Sequence, residues 1–143
     1  MKKNVMFALL FTWVGFSAGA QKLDESKVPA TVKTSFAKKY PGQKATRWEN
    51  ENGQFEAGFK QGGKAMSALF TADGTMTESE VDIKVSELPA PVLAYVKAHY
   101  KGSVIKEGAK ITKTDGTVNY EAEVNKTDVI FDANGKFLKE AKD

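Results

Sequence analysis

No cysteine occurs among the 143 residues. Disulfides, thiolate catalysis and cysteine-ligated zinc are thereby excluded, and the fold has to rest on its apolar core. Histidine occurs once, as His99. A histidine-based metal site or a Ser–His pair would need further partners, and His99 sits beside Tyr100, off the apolar stripe of its segment, as a surface side chain does. A large excess of charge of one sign is missing too. There are 21 basic and 18 acidic side chains. Removing Lys2 and Lys3, which precede an apolar run, leaves 19 against 18. Interspersed charges near balance read as a solvated surface, not as a footprint for nucleic acid. With 41% hydrophobic and 27% charged residues, the chain still reads as globular and not as disordered.

Beyond the N-terminus there is no long hydrophobic run, so no membrane span is expected in the mature chain. The N-terminus itself reads as a secretory signal. Met1 to Asn4 is a short basic segment, Val5 to Phe16 is apolar, and Ala18 and Ala20 place small residues before a cut that would expose Gln21. The run is shorter than the roughly 20 apolar residues of a membrane anchor, and no cysteine follows the cut to carry a lipid. Residues 1–20 are therefore expected to be a signal peptide. Residues 21–143 are expected to form a soluble, periplasmic or secreted, monomeric domain.

What is present is a repeat. Val28 to Gly42 returns as Leu88 to Gly102, with Pro29, Ala30, Val32, Tyr40 and Gly42 matching Pro89, Ala90, Val92, Tyr100 and Gly102. In the first copy, Val28, Val32, Phe36 and Tyr40 recur every four residues and predict an amphipathic helix. Pro29 suits its first turn, and Pro41-Gly42 ends it. Leu88, Val92, Val96 and Tyr100 repeat the stripe. Pro91 is tolerable there only in the first helical turn.

Each helix leads into strand-like segments. Lys44 to Asn50, Gln54 to Gln61, Ala65 to Thr71 and Thr75 to Lys84 are separated by Asn52-Gly53, Gly62-Gly63 and Asp73-Gly74, which are turn signals. In the second copy the strands are Val104 to Lys113, the stretch around Val118 to Val124, the stretch through Val129 and Phe131, and Lys136 to Glu140. Alternation places Phe55, Ala57 and Phe59 on one face, and likewise Tyr120, Ala122 and Val124. Trp48, Phe59, Phe36, Tyr120 and Phe131 are expected to be buried between helix and sheet. The fold class is α+β: two tandem helix-plus-antiparallel-sheet repeats, about 24–84 and 85–143, with helices on one face of the sheet.

The order Val-Pro-x-x-Val, Phe-x-x-Lys-Tyr-Pro-Gly, Trp-Glu, Phe-Glu-Ala and Phe-x-Ala-Asp-Gly, with its second copy, resembles the PepSY-like, β-lactamase-inhibitor-like family of small secreted bacterial proteins. The match runs from about Val28 to Glu140. It implies helices packed on one face of an antiparallel sheet. It also implies a non-catalytic, inhibitor-like role, since the related inhibitor grips its enzyme with the open sheet face and its loops. Unlike that inhibitor, this chain has no cysteine for disulfides, and no stretch matches the inhibitory loops.

The residues offer no catalytic, cofactor or metal site to set against that. Asp73, Asp115 and Asp132 lie in or beside glycine turns without the Asp-x-Asp-x-Asp-Gly spacing of a calcium loop. Gly62-Gly63 lacks the Gly-Lys-Ser/Thr ending of a phosphate loop. Glu121 and Glu123 share a strand face, which solvated strands do routinely. More informative is the polar sheet face as a whole. Arg47, Glu49, Glu56 and Lys60 are expected to point away from the helix in the first unit. Asn119, Glu121, Glu123, Asp128, Ile130 and Asp132 do so in the second. Leu69 and Ile130 add apolar patches to it. Glu56, Lys60, Glu121 and Glu123 are expected to be solvent-accessible on one continuous surface. The expected function is docking of a protein or peptide on this face, through Arg47, Glu49, Glu56, Lys60, Leu69, Glu121, Glu123 and Ile130. The alternative is an envelope stress or scaffold protein without a specific pocket.

Overall fold

The computed structural model describes residues 21–142; the expected signal peptide lies outside them. The chain opens with a short strand, β1 (Gln21–Leu23), and a single 3-10 turn (Glu25–Lys27). Helix α1 (Ala30–Lys39) then leads into β2 (Arg47–Glu51), β3 (Gln54–Gln61), β4 (Lys64–Phe70) and β5 (Met76–Ile83). A second 3-10 turn (Val85–Glu87) and helix α2 (Ala90–His99) follow. The chain continues with β6 (Glu107–Lys113), β7 (Val118–Val124), β8 (Thr127–Asp132) and β9 (Phe137–Lys142). All these strands pair antiparallel with their sequence neighbours in one nine-stranded sheet, in the order β1 to β9.

The helices form where the stripes predict. Val32 and Phe36 are the buried residues within α1, and Val92 and Val96 those within α2. Pro29 and Pro89 are the N-caps, and Pro91 lies in the first turn of α2, where its missing N–H leaves no carbonyl unserved. At the other end the Tyr40 N–H donates to the Phe36 carbonyl at 2.9 Å, and the Tyr100 N–H to that of Val96 at 2.8 Å. The hairpin between β2 and β3 turns through Asn52 and Gly53, both at positive φ (50° and 84°), which matches the twist of the flanking strands.

Each helix covers its own half of one sheet face. The first core gathers Val28, Val32, Phe36 and Tyr40 over Trp48, Ala57, Phe59, Ala68 and Phe70. The second gathers Leu88, Val92 and Val96 over Ala122, Val124, Val129 and Phe131. Of the five aromatics expected inside, Phe36, Trp48, Phe59 and Phe131 are buried. Tyr120 is only half-buried, at the margin of the second core. The Ala-Asp-Gly and Ala-Asn-Gly turns press onto the helix N-termini. A Cβ on Gly74 would sit 2.8 Å from the Thr31 carbonyl oxygen, and one on Gly135 2.9 Å from the Pro91 Cβ.

β5 belongs to both repeats. It closes the first unit against β4, and its end, Asp82-Ile83, stands to α2 as Lys22-Leu23 stands to α1. Through β5 it pairs with β6, Ile83 opposite Gly108, so the two units share one uninterrupted sheet.

The opposite face departs from expectation. Glu56 and Glu121 were expected in solvent; they are buried, as are Asn119, Asp128, Ala109, Ile111 and Ile130. The physical cause is curvature. Successive strands rotate in one sense, and over nine strands the sheet bends across its helix-free face, so that this face becomes concave and side chains from distant strands cover one another. Alternation sets the side on which a residue points, but not whether that side is open to water.

Candidate functional site

The concave face contains a cleft of about 340 Å³ between the two units. It is reached from β2 by Arg47, from β4 by Ala65, Met66 and Ser67, from β5 by Glu80 and Asp82, from β7 by Glu121 and Glu123, and from β8 by Asp128. The start of β6 closes it with Glu107, Gly108 and Ala109, beside Lys106. In a flat sheet β2 and β8 would stand about six strand spacings of 4.8 Å apart; curvature brings them to one cavity.

The register explains the carboxylate density. Arg47, Gly58, Ser67, Glu80, Ile111 and Asn119 form one row across the strands. The rows on either side carry Glu49, Glu56, Leu69 and Glu78, and Asp82, Ala109, Glu121 and Ile130. Arg47 bridges the first two rows. Its Nη2 donates to Glu56 Oε1 at 3.2 Å, and its Nε lies 3.5 Å from Glu49 Oε1. The guanidinium occupies the space above Gly58, where a Cβ would come within 2.7 Å of it. At the other wall, Lys106 Nζ lies 3.3 Å from Glu123 Oε1 and 3.8 Å from Glu107 Oε1.

These cations do not cancel the acidic field. Burial, and then the neighbouring Glu56, Glu78 and Glu49, push Glu51 up to about 8. Burial pushes Glu78 up to about 7 despite the ammonium of Lys113. Glu80 is raised by burial and by Glu56, Asp82, Glu78 and Asp128. Asp82 is raised by burial, with Arg47 opposing. Glu80 on β5 and Asp128 on β8, three strands apart, both line the cleft. Several carboxyls on this face thus hold protons near neutrality, and a positive charge placed among them would ionise them and gain their attraction.

Of the eight residues expected to form the docking face, Arg47, Glu121 and Glu123 line the cleft. Glu49 and Glu56 are tied to it through Arg47. Ile130 is buried beside Glu121, and Leu69 is half-buried between Glu56 and Glu78; both lie in the floor of the face and not in the cleft. Lys60 is exposed near the end of β3, outside it. Sequence reasoning missed Glu80, Asp82 and Asp128 as cleft residues. The signal for the first two was there: Glu78, Glu80 and Asp82 alternate along β5, in phase with the polar face of its neighbours.

The remaining sequence candidates resolve as local structure. His99 is exposed, stacks on Tyr95 with ring centroids 3.9 Å apart, and has Nδ1 2.9 Å from the Tyr95 carbonyl oxygen. Asp73, Asp115 and Asp132 accept backbone N–H donors from Thr75, Thr117 and Asn134 within their own turns. Among the described residues no group of three or more His, Asp or Glu side chains is arranged to hold a metal ion, and no helix is long and apolar enough to cross a membrane.

The family model described as "Putative beta-lactamase-inhibitor-like, PepSY-like" matches twice, over residues 3–76 and 53–139. The chain belongs to this family. The overlap of the two matches at residues 53–76 falls on β3 and β4 and reaches the start of β5, the strand that both units share. Among solved structures, a Bacteroides eggerthii protein described as a putative periplasmic protein is similar at 20% identity and a TM-score of 0.70, over 80% of this chain and 88% of that one. A BLIP-like protein from Bacteroides fragilis is similar at 22% identity and a TM-score of 0.58, over 79% of this chain and 85% of that one. At these identities the likeness is one of fold. The search of curated proteins finds no match.

Proposed function

We propose that this PepSY-like chain is an exported, non-catalytic binding protein of the periplasm, and that it docks a protein or peptide bearing positive charge on its concave face. The observation that carries the reading is the cleft: side chains from β2 and from β4 to β8 converge on one cavity whose charged lining is mainly carboxylate. A concave sheet backed by helices is stiff, so a partner meets a preformed surface. Raised carboxyls ionise when a cation arrives, which couples binding to proton release. The periplasmic description of the Bacteroides eggerthii neighbour and the BLIP-like description of the Bacteroides fragilis one agree with the location and the role. So does the secretory pattern of residues 1–20, with Gln21 as the expected first residue of the exported chain.

The test is a pull-down with the exported protein from periplasmic extract, followed by binding isotherms with the partner recovered. Asp82 is exposed and Glu123 half-buried, both at the cleft. Asp82→Asn with Glu123→Gln is expected to weaken binding at least about tenfold, in line with loss of a central charged contact, with the melting temperature nearly unchanged. Unchanged affinity would move the site off the concave face.

A further inference from the structure

The two units run in register with an offset of sixty from the first 3-10 turn to the first strand after the helix. Glu25 corresponds to Val85, Ala30 to Ala90, Tyr40 to Tyr100 and Arg47 to Glu107. The backbone elements agree throughout, so side-chain differences on this flank are not demanded by the fold. Most positions differ, and three of the exchanges replace a charged side chain by an apolar one that lines a single groove. Where the first unit has Glu25, Lys33 and Lys44, the second has Val85, Leu93 and Val104. Leu93 is 37% and Val104 80% exposed. With Ile105 and Tyr100 they line a groove of about 330 Å³ beside α2, on the helix side of the sheet and away from the acidic cleft. The charges differ in the opposite sense. Lys97 lines the groove and the exposed Lys101 stands between two of its lining residues, at positions that are Ala37 and Pro41 in the first unit. Among the described residues no carboxylate lines it; the Tyr100 hydroxyl donates to Glu140, which is not a lining residue.

We propose that this groove is a second docking site, for a partner protein segment that presents an apolar side chain flanked by carboxylates. Exposed apolar side chains gathered at one depression mark interaction surfaces, and their removal from water favours association. The ammonium groups of Lys97 and Lys101 select the sign of the flanking charge. A depression takes up a protruding side chain, whereas contact with a bilayer needs the apolar groups themselves to protrude from one amphipathic face. The site does not depend on the cleft, and its preference for charge is opposite, so the two surfaces hold different partners on opposite sides of the sheet.

The experiment uses isotopically labelled exported protein and two blocked peptides, one with a leucine pair between glutamates and one with lysines in place of the glutamates. The glutamate peptide is expected to shift the amide resonances of residues 93, 97 and 104. Its affinity should fall at least about tenfold in Leu93→Ser with Val104→Ser, and again in Lys97→Ala with Lys101→Ala. All four altered side chains are exposed, and all but Lys101 line the groove, so melting curves of both double variants should match the parent. Equal or tighter binding of the lysine peptide, shifts confined to the concave face, or affinity unchanged in both double variants would overturn the proposal. So would self-association, or sedimentation with phosphatidylglycerol vesicles, that Leu93→Ser with Val104→Ser abolishes while the peptide produces no shifts.

Discussion

Phe36 shows how much one side chain holds. Its ring lies 5.2 Å from that of Phe59, 5.5 Å from Tyr40, 5.8 Å from Trp48 and 6.5 Å from Phe70, mostly edge to face. It is the point where α1 meets β2, β3 and β4, and it is buried. Phe36→Ala would leave a cavity walled by three rings of the sheet, Trp48, Phe59 and Phe70, and by Tyr40 at the end of α1, none of which is free to collapse inward. The expected destabilisation is about 3–5 kcal/mol, read from chemical denaturation. A loss below about 1 kcal/mol would mean that the ring does not sit between helix and sheet. Phe36 was legible from the four-residue spacing alone. Glu56 was not: its side of β3 was correctly read, yet its burial depends on Arg47 from the next strand and on the bend of the whole sheet.

At the scale of elements, the contact between a hairpin turn and a helix start fixes where each helix sits on its sheet. Gly74 has φ 87°, and a Cβ there would also lie 2.6 Å from Ser35 Oγ and 2.8 Å from the Thr31 carbonyl oxygen of α1. Gly42 has a similar φ of 77° and open space around it. Both Gly→Ala changes incur the cost of a left-handed backbone, about 1–2 kcal/mol. Gly74→Ala should cost measurably more, because the Thr31 carbonyl belongs to helix backbone that cannot yield. Equal melting temperatures for the two variants would show that the turn does not bear on α1. Strand positions were readable because turn residues separate alternating runs. β1 was not, since three residues show no period, and Gln21–Leu23 is a strand only because Leu23 pairs with Trp48 and packs on the first core.

For the molecule as a whole, the acidic face makes stability depend on pH. Glu51, Glu78 and Glu80 have folded values above the ordinary carboxyl range. The folded state then holds more protons than the unfolded one between about pH 4.5 and about pH 8, and its stability falls as pH rises through that window. Asp24, Asp73 and Asp115 are lowered by hydrogen bonds within their turns, so their contribution is lost as pH falls through the acid range. The melting temperature should therefore peak at mildly acidic pH and decline towards about pH 8. Glu78→Gln should flatten that decline, because it removes one of the groups that must ionise. A melting temperature that rises from about pH 5 to about pH 8 would contradict the burial of these carboxyls.

The sequence by itself determined the repeat, the two helices with their buried stripes, nearly all the strands, and the side of the sheet on which each residue points. These are local properties: spacings of four and two, and turns that need glycine or asparagine. It also determined that residues 28–140 resemble the family to which the chain belongs. What only the tertiary structure decided is that β5 joins the units into one sheet, that this sheet bends over its helix-free face, and that Glu80, Asp82, Glu121 and Asp128 meet in one cleft while Lys60 stays outside. Curvature accumulates from small rotations between strands, and no single residue states it. The side of a strand is set by parity, whereas the distance between β2 and β8 is set by the sum over every strand between them.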